Sequence, residues 1–188
     1  GSTTKHGANQ STLSKPQPGS RVDREKNRIM TDPKDIRFLV LDVDGTLTDT
    51  GIYLIDDGRE AKKFNARDGM GIKYIQKEKK IPVGLISGSF NQSIIKSRAK
   101  MLRIKYWYAG GKDKLEVLNE WIDELEIDLS QVAYIGDDLN DISIFDAVGL
   151  RVCPADAVEA IRKKSHLILE RNGGDACVRE FIDKYILD

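Results

Sequence analysis

The sequence predicts an α/β protein built on a doubly wound parallel sheet. Three apolar, β-rich runs, at residues 38–41, 81–86 and 132–135, alternate with segments of helical periodicity. Runs that are apolar throughout are typical of parallel strands buried on both faces. Right-handed crossovers would wind such units into one sheet with helices on both sides.

The first run ends in two carboxylates. Residues 42–46 read DVDGT directly after it. Side chains two apart on a strand share a face, so Asp42 and Asp44 can converge on one point. Two carboxylates that close repel each other unless a cation lies between them, and Mg²⁺ accepts carboxylates together with water and phosphate oxygens. A polar turn closing the strand would also explain Asp44 and Gly45, so the other elements must decide.

The next segment predicts a short β-hairpin. Residues 51–55 are β-formers, Asp57 and Gly58 form a turn signal, and residues 61–65 return. An isolated two-stranded ribbon is marginally stable in water, so packing against another subunit is expected. A surface ribbon without a role is the alternative.

The second and third runs add the groups of a phosphate- and metal-binding edge. After residues 81–86 come Ser87, Gly88 and Ser89, whose hydroxyl and backbone N–H groups can hold phosphate oxygens. After residues 132–135 comes GDDLND at 136–141, where Asp137 supplies a third carboxylate. Lys114, ahead of an amphipathic segment at 115–125, can supply compensating positive charge. Ligands of open α/β sheets bind at this edge.

These four elements, in this order, resemble the haloacid dehalogenase superfamily of aspartate-nucleophile phosphotransferases, over residues 36–187. The resemblance implies that Asp42 attacks phosphorus and forms an aspartyl-phosphate. It implies that Asp44 acts as general acid and then as general base, while its backbone carbonyl ligates Mg²⁺. Ser87 would bind the transferring phosphoryl group.

The resemblance assigns the remaining polar groups as well. It makes Asp137 a metal ligand and Asp141 the residue that orients Lys114. Asp138 would bind the metal through a water molecule or support the residues that ligate it. Mg²⁺ and Lys114 would neutralise charge on the phosphoryl oxygens.

The spacing leaves no room for a cap domain. The interval from Asp44 to Ser87 fits a hairpin and one helix, and the interval from Lys114 to Asp137 fits one helix and a connection. An uncapped site must accept a large substrate or be closed by a neighbouring subunit.

Residues 63–72 and 131–141 also resemble the capless sugar-acid phosphatases, which act on 3-deoxy-D-manno-octulosonate 8-phosphate or 2-keto-3-deoxynononate 9-phosphate. Members of this group are Mg²⁺-dependent homotetramers in which one subunit's hairpin, here residues 51–65, lies across its neighbour's active site. Related domains are fused to sialic-acid cytidylyltransferases, so a non-catalytic oligomerisation domain is an alternative. A phosphatase for another small sugar phosphate is a second alternative.

Substrate-binding roles carry over from the same group. Arg67 and Lys73 suit an anionic 2-keto acid, whose carboxylate needs a cationic donor. Two departures affect specificity: Ser89 stands where relatives carry Arg or Glu, and Asp175 follows a glycine pair where relatives carry Arg or Glu. The full predicted set is Asn65, Arg67, Asp68, Lys73, Gly88, Arg98 and Asn140.

Composition sets the remaining expectations. The 30 Lys and Arg balance the 30 Asp and Glu, so nothing indicates a polybasic surface for nucleic acid. No apolar stretch is long enough to span a membrane. Residues 1–34 are predicted to be a disordered tail, linker or tag, and residues 35–188 the phosphatase domain. With Cys153 and Cys177 as the only cysteines, a reducing, cytoplasmic location is expected.

Overall fold

The computed structural model describes residues 30–188. Most of the predicted tail therefore lies outside the described residues. Its last residues contact the domain: the Thr31 N–H donates to the Gly149 carbonyl at 3.0 Å, and the Thr31 hydroxyl donates to the Ser130 carbonyl at 2.7 Å. A 3₁₀ helix follows at Pro33–Asp35. Contact with the domain thus begins ahead of the predicted boundary at residue 35.

The predicted parallel sheet is confirmed and has six strands. Its spatial order is β5-β4-β1-β6-β7-β8, and every neighbouring pair is parallel. The three runs singled out in the sequence are adjacent central strands, so their carboxyl ends share one edge. The strands are β1 (Phe38–Asp42), β4 (Val83–Ser87), β5 (Tyr106–Ala109), β6 (Val132–Ile135), β7 (Leu150–Cys153) and β8 (Leu167–Ile168), and a separate antiparallel hairpin contains β2 (Tyr53–Leu54) and β3 (Glu60–Ala61).

Helices cover both faces of the sheet. A π-helical segment, Ile75–Lys79, extends the first helix, and another, Ile182–Leu187, extends the last. Short 3₁₀ helices lie at Leu129–Gln131 and Leu139–Asp141. The α-helices are α1 (Ala66–Tyr74), α2 (Gln92–Leu102), α3 (Lys114–Leu125), α4 (Ile142–Phe145), α5 (Glu159–Lys164) and α6 (Cys177–Phe181).

Strand β1 divides the hydrophobic core into two layers. Leu39 and Leu41 pack on the side of α1, α2 and α6, whereas Phe38 and Val40 pack on the side of α3, α4 and α5. Successive side chains of a strand point to opposite faces, so a strand buried on both sides must be apolar at every position. This burial fixes the register of β1 and thus the place where Asp42 leaves the sheet.

No cap domain lies over the carboxyl edge within residues 30–188. Between β1 and β4 the chain forms only the hairpin and α1 with its extension, and between α3 and β6 only a 3₁₀ helix. In the same part of the chain, no helix has both the length and the apolar character needed to cross a bilayer.

Candidate active site

The turn after β1 requires a glycine. Gly45 has φ +90°, a conformation that L side chains rarely adopt. A Cβ at this position would lie 1.8 Å from Oδ2 of Asp137. The turn therefore brings the β1 end and Asp137, from the loop after β6, into direct contact.

Lys114 is the buried cation of the site. Its Nζ donates to Oδ1 of Asp42 at 2.6 Å and to Oδ1 of Asp141 at 2.7 Å, and the side chain is 4% exposed. Lys114 is the first residue of α3, whose N-terminus is capped by the Asp113 side chain accepting from the N–H groups of the second and third helical residues. The cap fixes the start of the helix and thus the position from which Lys114 reaches the edge.

Asp141 is held by donors on both carboxylate oxygens. Its Oδ1 accepts from Lys114 and from the Tyr134 hydroxyl, and its Oδ2 accepts from the backbone N–H groups of Asp137 and Asp138 at 2.9 and 3.2 Å. Asp141 is 0% exposed. It therefore orients Lys114 and the loop after β6.

Asp42 and Asp137 fit a divalent cation. Asp42, Asp137 and Asp141 each offer an oxygen within 4.8 Å of the others. Because hydrogen-bond donors occupy both carboxylate oxygens of Asp141, the carboxylates of Asp42 and Asp137 remain to bind a metal ion. Oδ1 of Asp137 is buried and has no hydrogen-bond partner among residues 30–188. An unpaired buried carboxylate oxygen is costly, and a hard cation with oxygen ligands would satisfy it.

The electrostatics lead to the same conclusion. Burial, with the neighbouring Asp141 carboxylate, raises the pKa of Asp42 well above its ordinary value. Burial also raises the pKa of Asp137 to about 6. Although burial alone would lower the pKa of Lys114, the carboxylates of Asp42 and Asp141 raise it, so the ammonium stays charged. One ammonium among three carboxylates leaves an excess of negative charge for a further cation to neutralise.

Asp44 faces the cleft and is held on both sides. Its Oδ1 accepts from Nζ of Lys62 at 2.6 Å, and its Oδ2 lies 3.5 Å from the Ser87 hydroxyl. The Ser89 N–H donates to the Ser87 oxygen at 3.0 Å. Ser87 ends β4 as predicted, so its hydroxyl lies beside the end of β1.

These groups surround an open cleft of about 380 Å³. Of the predicted substrate-binding residues, Gly88 and Asn140 line it, together with Ser89. The hairpin also contributes to its wall. The lining residues are Asp42, Asp44, Thr50, Ile52, Glu60, Lys62, Gly88, Ser89, Asp137, Asp138 and Asn140.

Within a single chain, this cleft is not lined by Asn65, Asp68 or Arg98. The Asn65 side chain caps α1 by accepting from the Arg67 N–H. Arg98 donates to the Asn65 carbonyl at 3.1 Å and lies 4.9 Å from the centre of the Phe64 ring. Asp68 is 0% exposed and accepts from the Arg179 N–H at 2.9 Å, which joins α1 to α6.

Arg67 and Lys73 are exposed and line separate surface clefts. Arg67 lies beside Arg171 and Arg179, and Lys73 lies beside Leu102 and Arg103. The chain therefore brings Asp42, Asp44, Ser87, Lys114 and Asp137 together with Gly88 and Asn140, but it does not bring Asn65, Arg67, Asp68, Lys73 or Arg98 to the same cleft.

The sequence interpretation missed several polar residues of the site, among them Tyr134, Glu60 and Lys62. Tyr134 hydrogen-bonds Asp141 from inside β6, where an apolar run gave no sign of a functional hydroxyl. Glu60 and Lys62 line the cleft from the returning arm of the hairpin. Their spacing of two residues, which places both side chains on one face of an extended segment, is the signal that could have found them.

The fold and the acidic edge define a class of α/β hydrolases, and comparison with known proteins identifies the family. Residues 80–182 match the family model described as haloacid dehalogenase-like hydrolase. The 3-deoxy-D-manno-octulosonate 8-phosphate phosphatase of Yersinia pestis is 40% identical over 153 residues, which cover 81% of each chain. Its counterpart in Salmonella typhi is 37% identical over 159 residues, which cover 85% of this chain and 84% of the relative.

Solved structures agree with the sequence relatives. That of the Yersinia pestis phosphatase superposes with a TM-score of 0.78 and 38% identity, covering 84% of each chain. A phosphatase of the same name from Moraxella catarrhalis, solved with magnesium, phosphate and KDO, superposes with a TM-score of 0.77 and 34% identity, covering 84% of this chain and 89% of that one. The chain belongs to the haloacid dehalogenase-like hydrolase family and is a phosphatase.

Proposed function

We propose that this phosphatase hydrolyses the phosphate monoester of a 2-keto-3-deoxy sugar acid. The first candidate is 3-deoxy-D-manno-octulosonate 8-phosphate, the substrate in the names of the two relatives described above. A nononate 9-phosphate is the second. The observation that carries the proposal is the Asp42 carboxylate at the end of β1, 2.6 Å from a buried lysine and beside Asp44 and Ser87.

The reaction proceeds in two balanced steps. In the first, a carboxylate oxygen of Asp42 attacks phosphorus, the bond between phosphorus and the sugar oxygen breaks, and Asp44 gives its proton to that oxygen. In the second, Asp44 takes a proton from water, the water oxygen attacks phosphorus, and the bond to Asp42 breaks to release phosphate. A covalent carboxylate intermediate divides one difficult transfer into two easier ones. Lys114 and the Ser87 hydroxyl hold the phosphoryl oxygens.

Asp42 and Asp137 would hold Mg²⁺, with the Asp44 backbone carbonyl as the family resemblance implies. The buried, unpartnered Oδ1 of Asp137 and the excess negative charge support this assignment. When bound, Mg²⁺ would neutralise negative charge on the phosphoryl oxygens. The magnesium ion in the Moraxella catarrhalis structure provides independent support.

The chain is proposed to act as a homotetramer in the cytoplasm. Arg67, Lys73 and Arg98 do not line their own cleft, so we assign their substrate roles to the site of a neighbouring subunit. The exposed apolar hairpin residues Tyr53 and Leu54 provide a surface for that contact. The buried thiols of Cys153 and Cys177 fit a reducing compartment.

Two alternatives remain open to experiment. Ser89 in the wall of the cleft favours a phosphatase for a different small sugar phosphate. A non-catalytic oligomerisation domain is disfavoured because both Asp42 and Asp44 are present and Lys114 is placed against the first of them.

The test is phosphate release with and without Mg²⁺, ranked by kcat/KM. The substrates are 3-deoxy-D-manno-octulosonate 8-phosphate, 2-keto-3-deoxynononate 9-phosphate and N-acetylneuraminate 9-phosphate. Asp42→Asn should abolish turnover without unfolding the protein, whereas Asp49→Asn, at an exposed carboxylate in the segment that follows β1, should retain it. Turnover by Asp42→Asn would refute the nucleophile assignment, and no turnover of any ester by the unmodified protein would refute the proposed function.

A further inference from the structure

The returning arm of the hairpin delivers a buried lysine to Asp44. Lys62 directly follows β3, and its Nζ lies 2.6 Å from Oδ1 of Asp44. Its side chain is only 3% exposed. The next residue, Lys63, points away: its side chain is 62% exposed and lies 3.1 Å from Asp49. Two consecutive lysines thus have opposite environments on one arm.

An ammonium is buried only where a partner compensates for its lost hydration. Within residues 30–188, the acceptor within hydrogen-bond distance of Lys62 is Asp44. Glu60, on the same face of the arm, is joined to the loop after β4, because the Asn91 side-chain amide donates to its carboxylate at 3.4 Å. The returning arm of the hairpin is therefore attached to its own active site at two points.

The hydrogen bond from Lys62 fixes the orientation of the Asp44 carboxyl group, since Oδ1 accepts from Nζ whether or not Oδ2 carries a proton. With Oδ1 held by Lys62, Oδ2 is the oxygen that faces Ser87 and the cleft. Resting on the proposed function, in which Asp44 moves a proton to the leaving oxygen, we propose that Lys62 is a positioning residue. It holds Asp44 for proton transfer and couples that step to the position of the hairpin.

The proposal predicts a dependence on the leaving group. An alkoxide must receive a proton as the P–O bond breaks, whereas p-nitrophenolate leaves without one. The ratio kcat/KM reports on the reaction up to the first irreversible step, which here is formation of the phosphoenzyme. Misplacing Asp44 should therefore lower kcat/KM for an alkyl phosphate much more than for p-nitrophenyl phosphate.

The test compares Lys62→Met with Lys62→Arg and the matched neighbour Lys63→Met. Misplacing a catalytic group typically costs about 10- to 100-fold, so Lys62→Met should lower kcat/KM for the sugar-acid phosphate by that factor. Its effect on p-nitrophenyl phosphate should be several-fold smaller. Lys62→Arg should recover part of the loss, and Lys63→Met should match the unmodified protein. Thermal unfolding checks each variant, and Lys62→Gln replaces Lys62→Met if the latter does not fold.

Each other outcome overturns a distinct claim. If Lys62→Met matches Lys63→Met on both esters, Lys62 does not position Asp44 and the proposed function stands. If Lys62→Met lowers kcat/KM equally for both esters, Lys62 acts on substrate binding or on the fold instead. If the unmodified protein hydrolyses neither ester, or if Asp42→Asn is active, the proposed mechanism fails and the role of Lys62 fails with it.

Discussion

At the scale of single residues, Asp141 carries the largest predicted effect on stability. It is fully buried and accepts from Lys114, from Tyr134 and from two backbone N–H groups. Asp141→Asn keeps the shape of the side chain but places an amide NH₂ group where an oxygen accepted hydrogen bonds. It also removes one of the two carboxylates that pair with the Lys114 ammonium. Breaking a buried charge pair typically costs about 3–5 kcal/mol, and we expect a loss in that range from urea unfolding.

The control for this prediction is Asp138→Asn. The Asp138 side chain is exposed and accepts from the Leu139 N–H. Its replacement should cost less than about 1 kcal/mol, because Asn can still cap the 3₁₀ helix and the exposed side chain leaves no buried charge unpaired. Equal losses for the two variants would show that Asp141 does not anchor the buried network.

The raised pKa of Asp137 predicts that magnesium binding depends on pH. Burial raises its pKa to about 6 from the ordinary 3.8. Between these values the folded protein binds a proton that the unfolded chain has lost, so this residue's contribution to the free energy of unfolding falls as pH rises through that window. Mg²⁺ binds the ionised carboxylate and competes with the proton. The rise in Tm on adding Mg²⁺ should therefore be larger at about pH 7.5 than at about pH 5.

The Asp137→Asn variant isolates this effect. Asp68 also has a pKa raised to about 6 by burial, so the pH dependence of the metal-free protein does not report on Asp137 alone. The variant should lose most of the Mg²⁺-dependent rise in Tm at both pH values while Asp68 still titrates. An equal rise at both pH values in the unmodified protein would contradict the assignment.

At the scale of elements, two glycines with similar backbone conformations test the turn after β1. Gly45 has φ +90° and Gly58, in the hairpin turn, has φ +83°. A Cβ on Gly58 meets nothing within 4 Å, whereas one on Gly45 meets the Asp137 carboxylate at 1.8 Å. Both alanine variants should lose about 1–2 kcal/mol from backbone strain.

Only Gly45→Ala should also displace Asp137. We expect it to abolish the Mg²⁺-dependent rise in Tm and to lower kcat/KM by at least about tenfold, because misplacing a catalytic group costs at least that much. Gly58→Ala should retain both properties. If Gly45→Ala behaves like Gly58→Ala, contact between the turn and Asp137 is not needed for metal binding.

The main elements could be predicted from the sequence because their patterns were unambiguous. Strands β1, β4 and β6 are apolar on both faces, and the polar residues that follow them had to converge on one edge. Lys62 could not be distinguished in this way. It stands next to Lys63, and only the twist and packing of the hairpin decide which ammonium turns inward. Asp68 gave no sign of burial, since acidic residues in a first helical turn are usually exposed.

At the scale of the whole molecule, the hairpin faces two environments. Its returning arm holds Lys62 against Asp44 of the same chain, whereas its outgoing arm is apolar and exposed, with Leu54 77% accessible. Consecutive exposed apolar residues at 52–55 are unfavourable on a monomer and typical of an interface. The sequence predicted the hairpin and its packing against another subunit. It did not predict that the returning arm holds Asp44 of the same chain, because two short extended segments carry no pattern that shows which side chains turn towards that site.

Leu54→Asp tests whether the outgoing arm of the hairpin joins subunits. We expect light scattering to show a tetramer for the unmodified protein and a smaller species for Leu54→Asp at the same concentration, since a desolvated carboxylate disfavours an apolar interface. Met70→Asp, at an exposed apolar side chain on α1, is the control and should keep the larger assembly. Because Lys62 and Asp44 belong to one chain, Leu54→Asp should still hydrolyse p-nitrophenyl phosphate while kcat/KM for the sugar-acid phosphate falls. A fully active monomer would contradict the tetramer. Equal losses of kcat/KM on both esters would show that the outgoing arm also supports the chemistry of its own site.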